Sequence, residues 1–379
     1  MATWRVLIAD TVTGTILSDV TPRDLPSFSR KVTDKGSWTV NVMPEDRANS
    51  AVDLHACVDA GRYTWIVACD DYICQAGPTF TYQYDENTRN LSVSGAGIQS
   101  LFDRRVLRNP AGPANNIVHV NNDLVLNGYT LRGIAREIVA ANLAQVGYGL
   151  PIDVPAAEAG TSTRTYYGYD LATVWDRLNE LSKVDKGPEL DFRPYITPSG
   201  NQIRWELLIG SPKLGNQTST SVWDYGGALG QIDVDTNGAA SPCVKAWVRG
   251  SGTERTMLAG YASNDTLISL GYPPTDYVDN DHTSVVLKPT LDAYAIADLA
   301  QFSAPSETWK CNVRVDGLSS RGVLVSPKLG GWSPGDAPIF GVSGHPWIKD
   351  GQYRRRILGF SNDTESTVSL ELQETLAVN

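Results

Sequence analysis

Methionine and histidine are scarce in this 379-residue chain, with 3 and 4 residues respectively. The histidines are His55, His119, His282 and His345, and none falls in an HxH, HExxH or HxxxH pattern. A metal site carried on one helix or strand is therefore unsupported. Cysteine is equally uninformative as a ligand set. Cys57, Cys69, Cys74, Cys243 and Cys311 are odd in number and contain no CxxC, so they are expected as free, mostly buried thiols in a protein assembled in a reducing cytoplasm. On one uninterrupted strand, Cys69 and Cys74 would face opposite sides. Positive charge is also short: 32 Lys and Arg stand against 42 Asp and Glu, a net charge of −10 with a pI near 4.9. Such a surface repels nucleic acid and gives no general reason to bind an anionic membrane. No run approaches the ~20 apolar residues of a membrane helix. The first apolar run is bracketed by Arg5 and Asp10 and reads as a strand rather than a signal peptide.

What the chain does have is glycine (34), proline (21), tyrosine (16) and tryptophan (10), the usage of turn-rich sheets and of interfaces. Its length suits two or three domains. Residues 1–110 are predicted as a first β-barrel domain, from short β-rich runs such as "WRVLIADT", "GSWTVNVM" and "YTWIVACD". In "GSWTVNVM", Trp38, Val40 and Val42 alternate with Ser37, Thr39 and Asn41, giving one buried and one wet face. Residues 111–215 are predicted as an α/β insertion with two helices. One is capped by Thr130 and stopped near Gly147; the other is capped by Asp170 and broken at Gly187-Pro188. The strands "ELDFRPYI" and "IRWELLIG" then pair as a hairpin across "TPSGNQ". Residues 216–379 are predicted as a second β-barrel domain. It includes "TSVVLKP" and "GVLVSP" as strands, one helix capped by Thr290 with Pro305 beyond its end, and a closing hairpin whose buried face is Val368, Leu370 and Leu372.

The most suggestive chemistry is "KVDKGPELDFRP", with Glu189 and Asp191 one residue apart. On a strand their Cα atoms lie about 6.8 Å apart on one face. Glycosidase carboxylates face each other across a sugar and usually come from different strand ends. The pair is therefore expected to be the polar side of a half-exposed strand. Other candidates fail in the same way. Asp279, Asp281 and His282 in "DNDH" read as a surface turn. Ser343 and His345 in "FGVSGHPW" miss the spacing and the following helix of a nucleophile elbow and read as a hairpin loop. Arg354, Arg355 and Arg356 are expected to meet carboxylates at an interface rather than phosphate. No catalytic, cofactor-binding or metal-binding residue is assigned, and no cofactor is expected.

Three stretches resemble the minor tail proteins, or tail-tip (baseplate) hub proteins, of long-tailed actinobacterial phages. They are the opening "WRVLIADTVTGTILSDVTPRDLPSFSRKVTDKGSWTVNV", the helix-to-strand stretch "DLATVWDRLNELSKVDKGPELDFRPYI", and the closing "WSPGDAPIFGVSGHPWIKDGQYRRRILGFSNDTESTVSLEL". The resemblance implies an α+β, β-dominated fold with two tube-like β-barrel domains and an α/β insertion between them, similar to the trimeric hub of contractile-tailed phages. It implies a non-enzymatic structural virion protein of the phage tail tip. As a homotrimer it would join the distal tail protein and tail tube to tail fibre or tip proteins. It would contact the tape-measure protein and let DNA pass during ejection without specific binding. Many such proteins carry a longer C-terminal extension with a peptidase or sugar-binding module; this chain is expected to stop at the second barrel. The alternative from another class is a receptor-binding or glycan-processing tail protein, which would gather several aromatics and acids in one cleft.

Overall fold

The computed structural model describes residues 2–238, 242–302, 306–318 and 322–374. Seven strands come first: β1 (Trp4–Asp10), β2 (Ile16–Val20), β3 (Ser27–Lys31), β4 (Ser37–Val42), β5 (Tyr63–Cys69), β6 (Tyr72–Asp85) and β7 (Asn90–Gly95). The middle of the chain supplies β8 (Leu124–Tyr129), α1 (Leu131–Leu143), β9 (Ile152–Asp153), β10 (Ser162–Tyr166), α2 (Val174–Lys183), β11 (Leu190–Ile196) and β12 (Ile203–Ile209). The remainder holds β13 (Val222–Asp224), β14 (Leu229–Asn237), β15 (Lys245–Arg249), β16 (Ala259–Ser263), α3 (Thr266–Ser269), β17 (Asp276–Asp279), α4 (Lys288–Phe302), β18 (Ser306–Arg314), β19 (Ile339–Val342), β20 (Gly351–Thr364) and β21 (Thr367–Glu374).

The first and last strand groups do not form two separate barrels. They share one 13-stranded sheet with main path β14-β18-β21-β20-β3-β4-β7-β6-β5-β1-β2, and β13 and β19 branch from β20. No closed barrel forms among the described residues; β2 and β14 are the two ends of the path. The join is the antiparallel pair β3–β20, with Gly359 opposite Lys31, Phe360 opposite Arg30 and Ser361 opposite Ser29. Glycine is required at this seam by space. A Cβ on Gly359 would sit 2.6 Å from Arg30 O and 2.9 Å from Lys31 Cβ.

Alternation in the sequence becomes burial here. Trp38, Val40 and Val42 of β4, and Val368, Leu370 and Leu372 of β21, all point into one core. That core is continuous across the seam, because Phe28 meets Phe360 edge-on at 5.5 Å and Phe360 meets Trp332 at 5.3 Å. The opposite face of β1 and β5, through Leu7, Ala9, Ile66 and Ala68, packs against α1, α2 and the β11–β12 hairpin in a second core. Both faces of that part of the sheet are thus covered, so its strands read as unbroken apolar runs.

The helices follow the apolar stripes with shifted caps. Thr130 caps α1 as predicted, its hydroxyl accepting from Gly133 N at 3.0 Å. α2 starts later than predicted: Thr173, not Asp170, is its cap, and Thr173 with Asp176 forms a reciprocal capping box. Asp170 ends a short 3-10 turn instead and pairs with Arg177. α4 starts at Lys288, so Thr290 lies inside its first turn; Pro305 lies outside the described residues. The two strands predicted at "TSVVLKP" and "GVLVSP" are absent from the fold. The first is a turn and the lead-in to α4, and the second contributes a lone bridge between Leu318 and Leu324. Isolated bonds, such as Ser251 N to Val285 O and Val325 N to Gly317 O, both at 2.9 Å, replace a ladder in these runs, and a ladder rather than propensity makes a strand.

The helix expected near Thr290 belongs to a third unit, which the sequence reading did not set apart from the second barrel. β15 pairs with β16 and β17 in a separate three-stranded sheet, and α4 covers one face of it through Leu291, Tyr294 and Ala295. The helix lies close, since a Cβ on Gly260 would meet Leu291 O at 2.2 Å. Among the described residues no helix is long and apolar enough to cross a membrane.

Candidate functional site

Glu189 and Asp191 lie at the start of β11, beside the β3–β20 seam. Each is engaged by an arginine from one of the two seam strands. Arg30 of β3 donates from Nε to Asp191 Oδ1 at 3.2 Å and from Nη2 to Oδ2 at 2.5 Å. Arg356 of β20 donates from Nη1 to Glu189 Oε1 at 2.8 Å and from Nη2 to Oε2. The expected half-exposed strand face holds for Glu189, whose side chain is 22% exposed, and is corrected for Asp191. Asp191 is 5% exposed, Arg30 3% and Arg356 3%. Such buried charge is tolerated because each guanidinium fork finds a carboxylate of matching shape.

The remaining donors and acceptors are also filled. Leu214 N donates to Glu189 Oε2 at 2.8 Å, Arg356 Nε to Gly335 O at 3.1 Å, and Arg30 Nη1 to the Tyr72 hydroxyl at 3.3 Å. Backbone bonds run beside them: Thr33 N donates to Leu190 O at 2.7 Å and Leu190 N to Thr33 Oγ1 at 3.0 Å. Burial alone would lower the basicity of Arg30, but the adjacent Asp191 carboxylate outweighs it and holds the guanidinium charged. Burial pushes the Tyr72 hydroxyl up, against the opposing pull of Arg30. Both oxygens of each carboxylate are taken up by a guanidinium, and Glu189 also accepts from a backbone N–H. Their arrangement makes a clamp that ties β11 to both halves of the large sheet.

The other two arginines of "YRRRILG" are engaged locally. Arg355 pairs with Glu307 at 2.8 Å and Glu374 at 3.2 Å, and its guanidinium lies over the Trp309 ring at 4.4 Å. Arg354 donates from Nη1 to Ser219 O and Ala337 O, both at 2.7 Å. The expectation of carboxylate partners holds for Arg355 and Arg356; Arg354 is satisfied mainly by carbonyls.

Ser343 and His345 sit in the loop between the paired strands β19 and β20, as the hairpin reading expects. Nδ1 of His345 accepts from Trp347 N at 3.2 Å and Ile348 N at 3.0 Å, which leaves the proton on Nε2, directed at Ile232 O at 3.3 Å. Both ring nitrogens are thereby used to shape the loop, and neither is free to act as a base for Ser343. His282 lies in a surface turn, residues 281–284, as expected, but its own side chain is buried. It meets Asp279 at 3.1 Å and stacks on Tyr294 at 3.6 Å. Nearby Asp298 is pushed up to about 6, first by burial and then by Asp279, with Lys183 opposing. Among the described residues no three His, Cys, Asp or Glu side chains converge as a metal ion would need.

All five cysteines are buried and unbridged. Cys69 and Cys74 stand on neighbouring strands β5 and β6, not on one strand, and both enter the core shared by the two strand groups. Burial raises the Cys69 thiol to about 12 and Cys74 well above its ordinary value. Arg30 was not singled out in the sequence. An arginine at a buried position of "SFSRK" was its only signal.

No protein-family model matches the chain, and no curated protein matches it in sequence. Solved structures do match in fold. A tail protein from Neisseria meningitidis MC58 superposes with a TM-score of 0.54 at 13% identity, covering 98% of this chain and 96% of that one. The 43 kDa tail protein of prophage MuSo2 from Shewanella oneidensis superposes with a TM-score of 0.55 at 12% identity, covering 98% of each chain. Identity this low speaks for fold alone, and the fold is shared along nearly the whole chain.

Proposed function

We propose that the chain is a structural, non-enzymatic virion protein: a homotrimeric tail-tip hub joining the tail tube and distal tail ring to tip or fibre proteins. The observation that carries this reading is the end-to-end likeness to two tail proteins, one of them from a prophage, with matching coverage on both sides. The site geometry supports it, because the two carboxylates singled out in the sequence are both engaged by arginines, Asp191 in a buried pair and Glu189 in a partly buried one. In this reading residues 1–110 and 216–379 are the two ring-forming regions and 111–215 the insertion between them. The open ends β2 and β14 are where neighbouring copies complete tube-like walls, a use of sheet edges that also prevents uncontrolled pairing.

DNA passes through the centre of such a ring during ejection. A lumen lined mainly by acidic side chains keeps phosphate contacts few, in line with the net charge of −10. The tape-measure protein ends against the same ring, and the particle forms in the host cytoplasm. Negative-stain imaging of purified protein tests the reading: three-fold rings support it, and uniformly single subunits at tens of micromolar contradict it.

A further inference from the structure

α4 covers one face of the three-stranded β15–β17 sheet, and the other face is open. Residues alternate along β15, so Ala246 and Val248 are fully buried while Lys245, Trp247 and Arg249 point outward. Trp247 lies opposite Tyr261 on β16 and Val278 on β17, which sets an apolar row across all three strands. Trp247 is 40% exposed, Tyr261 41% and Val278 55%, and the Trp247 and Tyr261 rings lie 4.5 Å apart at 45°. Two large rings side by side on one strand row form a flat surface on which a planar or ring-shaped ligand can stack.

The charges around the row are uneven. Lys245 is opposite Asp276 across the ladder, so that end is balanced. Arg249 at the other end is opposite Ala259, and its side chain forms no ion pair among the described residues. It stands two residues from Trp247, about 6.8 Å along the strand. The face therefore combines a flat aromatic platform with one exposed cation at a fixed distance and small polar groups, including Ser263, at its other end.

Size decides the kind of occupant. Three strands about 4.8 Å apart and some five residues long give a face of roughly 200 Å². A stable protein interface takes about 800 Å² from each partner. A face of this size fits a short stretch of polymer. Single-stranded nucleic acid could stack on the rings, but it carries a charge at every residue and meets a chain of net charge −10. A sugar chain with sparser carboxylates avoids most of that repulsion. The apolar face of a pyranose ring packs flat on indole, and its hydroxyls reach the polar rim.

The geometry points to a binding site for an acidic glycan on the outer face of β15–β17, with a sugar ring on Trp247 and Tyr261 and its carboxylate at Arg249. The site binds and does not cut, since no paired carboxylates flank the row. It is independent of the trimer reading, because every residue in it belongs to one copy.

The test is calorimetric titration of the purified protein with a hyaluronan oligosaccharide, which carries a carboxylate on alternate sugars only, a neutral dextran oligosaccharide of equal length, and a single-stranded DNA oligonucleotide. Expected is saturable binding of the hyaluronan oligosaccharide, weakened at least tenfold by Trp247→Ala and retained within threefold by Trp247→Tyr. Arg249→Ser should remove the preference over dextran, and raising the salt should weaken binding of the hyaluronan oligosaccharide but not of dextran. Unchanged melting temperatures for the variants exclude unfolding as the cause. No binding of the hyaluronan oligosaccharide, or binding indifferent to Trp247→Ala, overturns the site. Tighter binding of the DNA oligonucleotide, or self-association abolished by Trp247→Ala, overturns it in favour of those occupants.

Discussion

Arg356 Nη1 donates to Glu189 Oε1 at 2.8 Å across 167 residues of sequence, and the same strand start holds Asp191 against Arg30 across 161. Two adjacent carboxylates thus fasten one inserted strand to the two strands where the ends of the chain meet. Removing one partner of a buried pair leaves the other charged and uncompensated. Asp191→Ala should therefore destabilise the protein by about 3–5 kcal/mol in urea titrations. Arg30→Met combined with Asp191→Leu should cost markedly less than Asp191→Ala alone. Equal losses from the two would mean that the pair is not coupled.

The aromatic chain through Phe28, Phe360 and Trp332 makes the first and last strand groups one core. Phe360→Ala opens a cavity there and should cost about 3–5 kcal/mol. Because the core is shared, hydrogen exchange should accelerate in β4 and in β21 together. Acceleration confined to β20 and β21 would show that the two groups unfold separately.

Much of this core is legible in the sequence, and the reasons are local. Period-two alternation marks β4 and β21 because each has one face on the core and one outside. Thr130 before an apolar stripe marks α1. What escapes is pairing at long range. Nothing in "SFSRK" tells that β3 joins β20, or that Arg30 is buried, until the partner strand is known. The same blindness made Glu189 and Asp191 look like a wet face, since a carboxylate with an arginine more than 150 residues away is indistinguishable from a solvated one. "TSVVLKP" failed in the opposite direction, having strand propensity but making an isolated bond from Ser251 N to Val285 O in place of a ladder. The β15–β17 unit was readable in part: the alternation of Lys245, Trp247 and Arg249 with Ala246 and Val248 already places a tryptophan on an outer face.

The start of α2 gives a direct comparison of two candidate caps. Thr173→Ala removes a hydroxyl that accepts from Asp176 N at 3.1 Å and should cost about 1 kcal/mol. Asp170→Ala removes a partly exposed ion pair with Arg177 and should cost about 0.5 kcal/mol or less. Thermal melts of the two variants decide the order.

Asp298 sets a pH dependence with a definite sign. Its ordinary value of 3.8 is pushed up to about 6 in the folded chain, so between those values the folded state holds a proton that the unfolded state has lost. Its contribution is fully present below about pH 4 and is lost as pH rises through about 6. Asp298→Asn should accordingly raise the melting temperature at pH 7.5 and leave it nearly unchanged at pH 4. An equal effect at both would remove Asp298 as the titrating group. The carboxylates of Asp279 and Asp281 and the ammonium of Lys183 face it, so Lys183→Ala should enlarge the gain at pH 7.5.

Mass photometry of the purified protein, with negative-stain class averages of the same sample, tests the central claim that this chain works by assembling. The account predicts a dominant species of three copies of the 41.1 kDa chain, with three-fold averages and an open centre. A stable single-copy species that stays monomeric as concentration rises would contradict it.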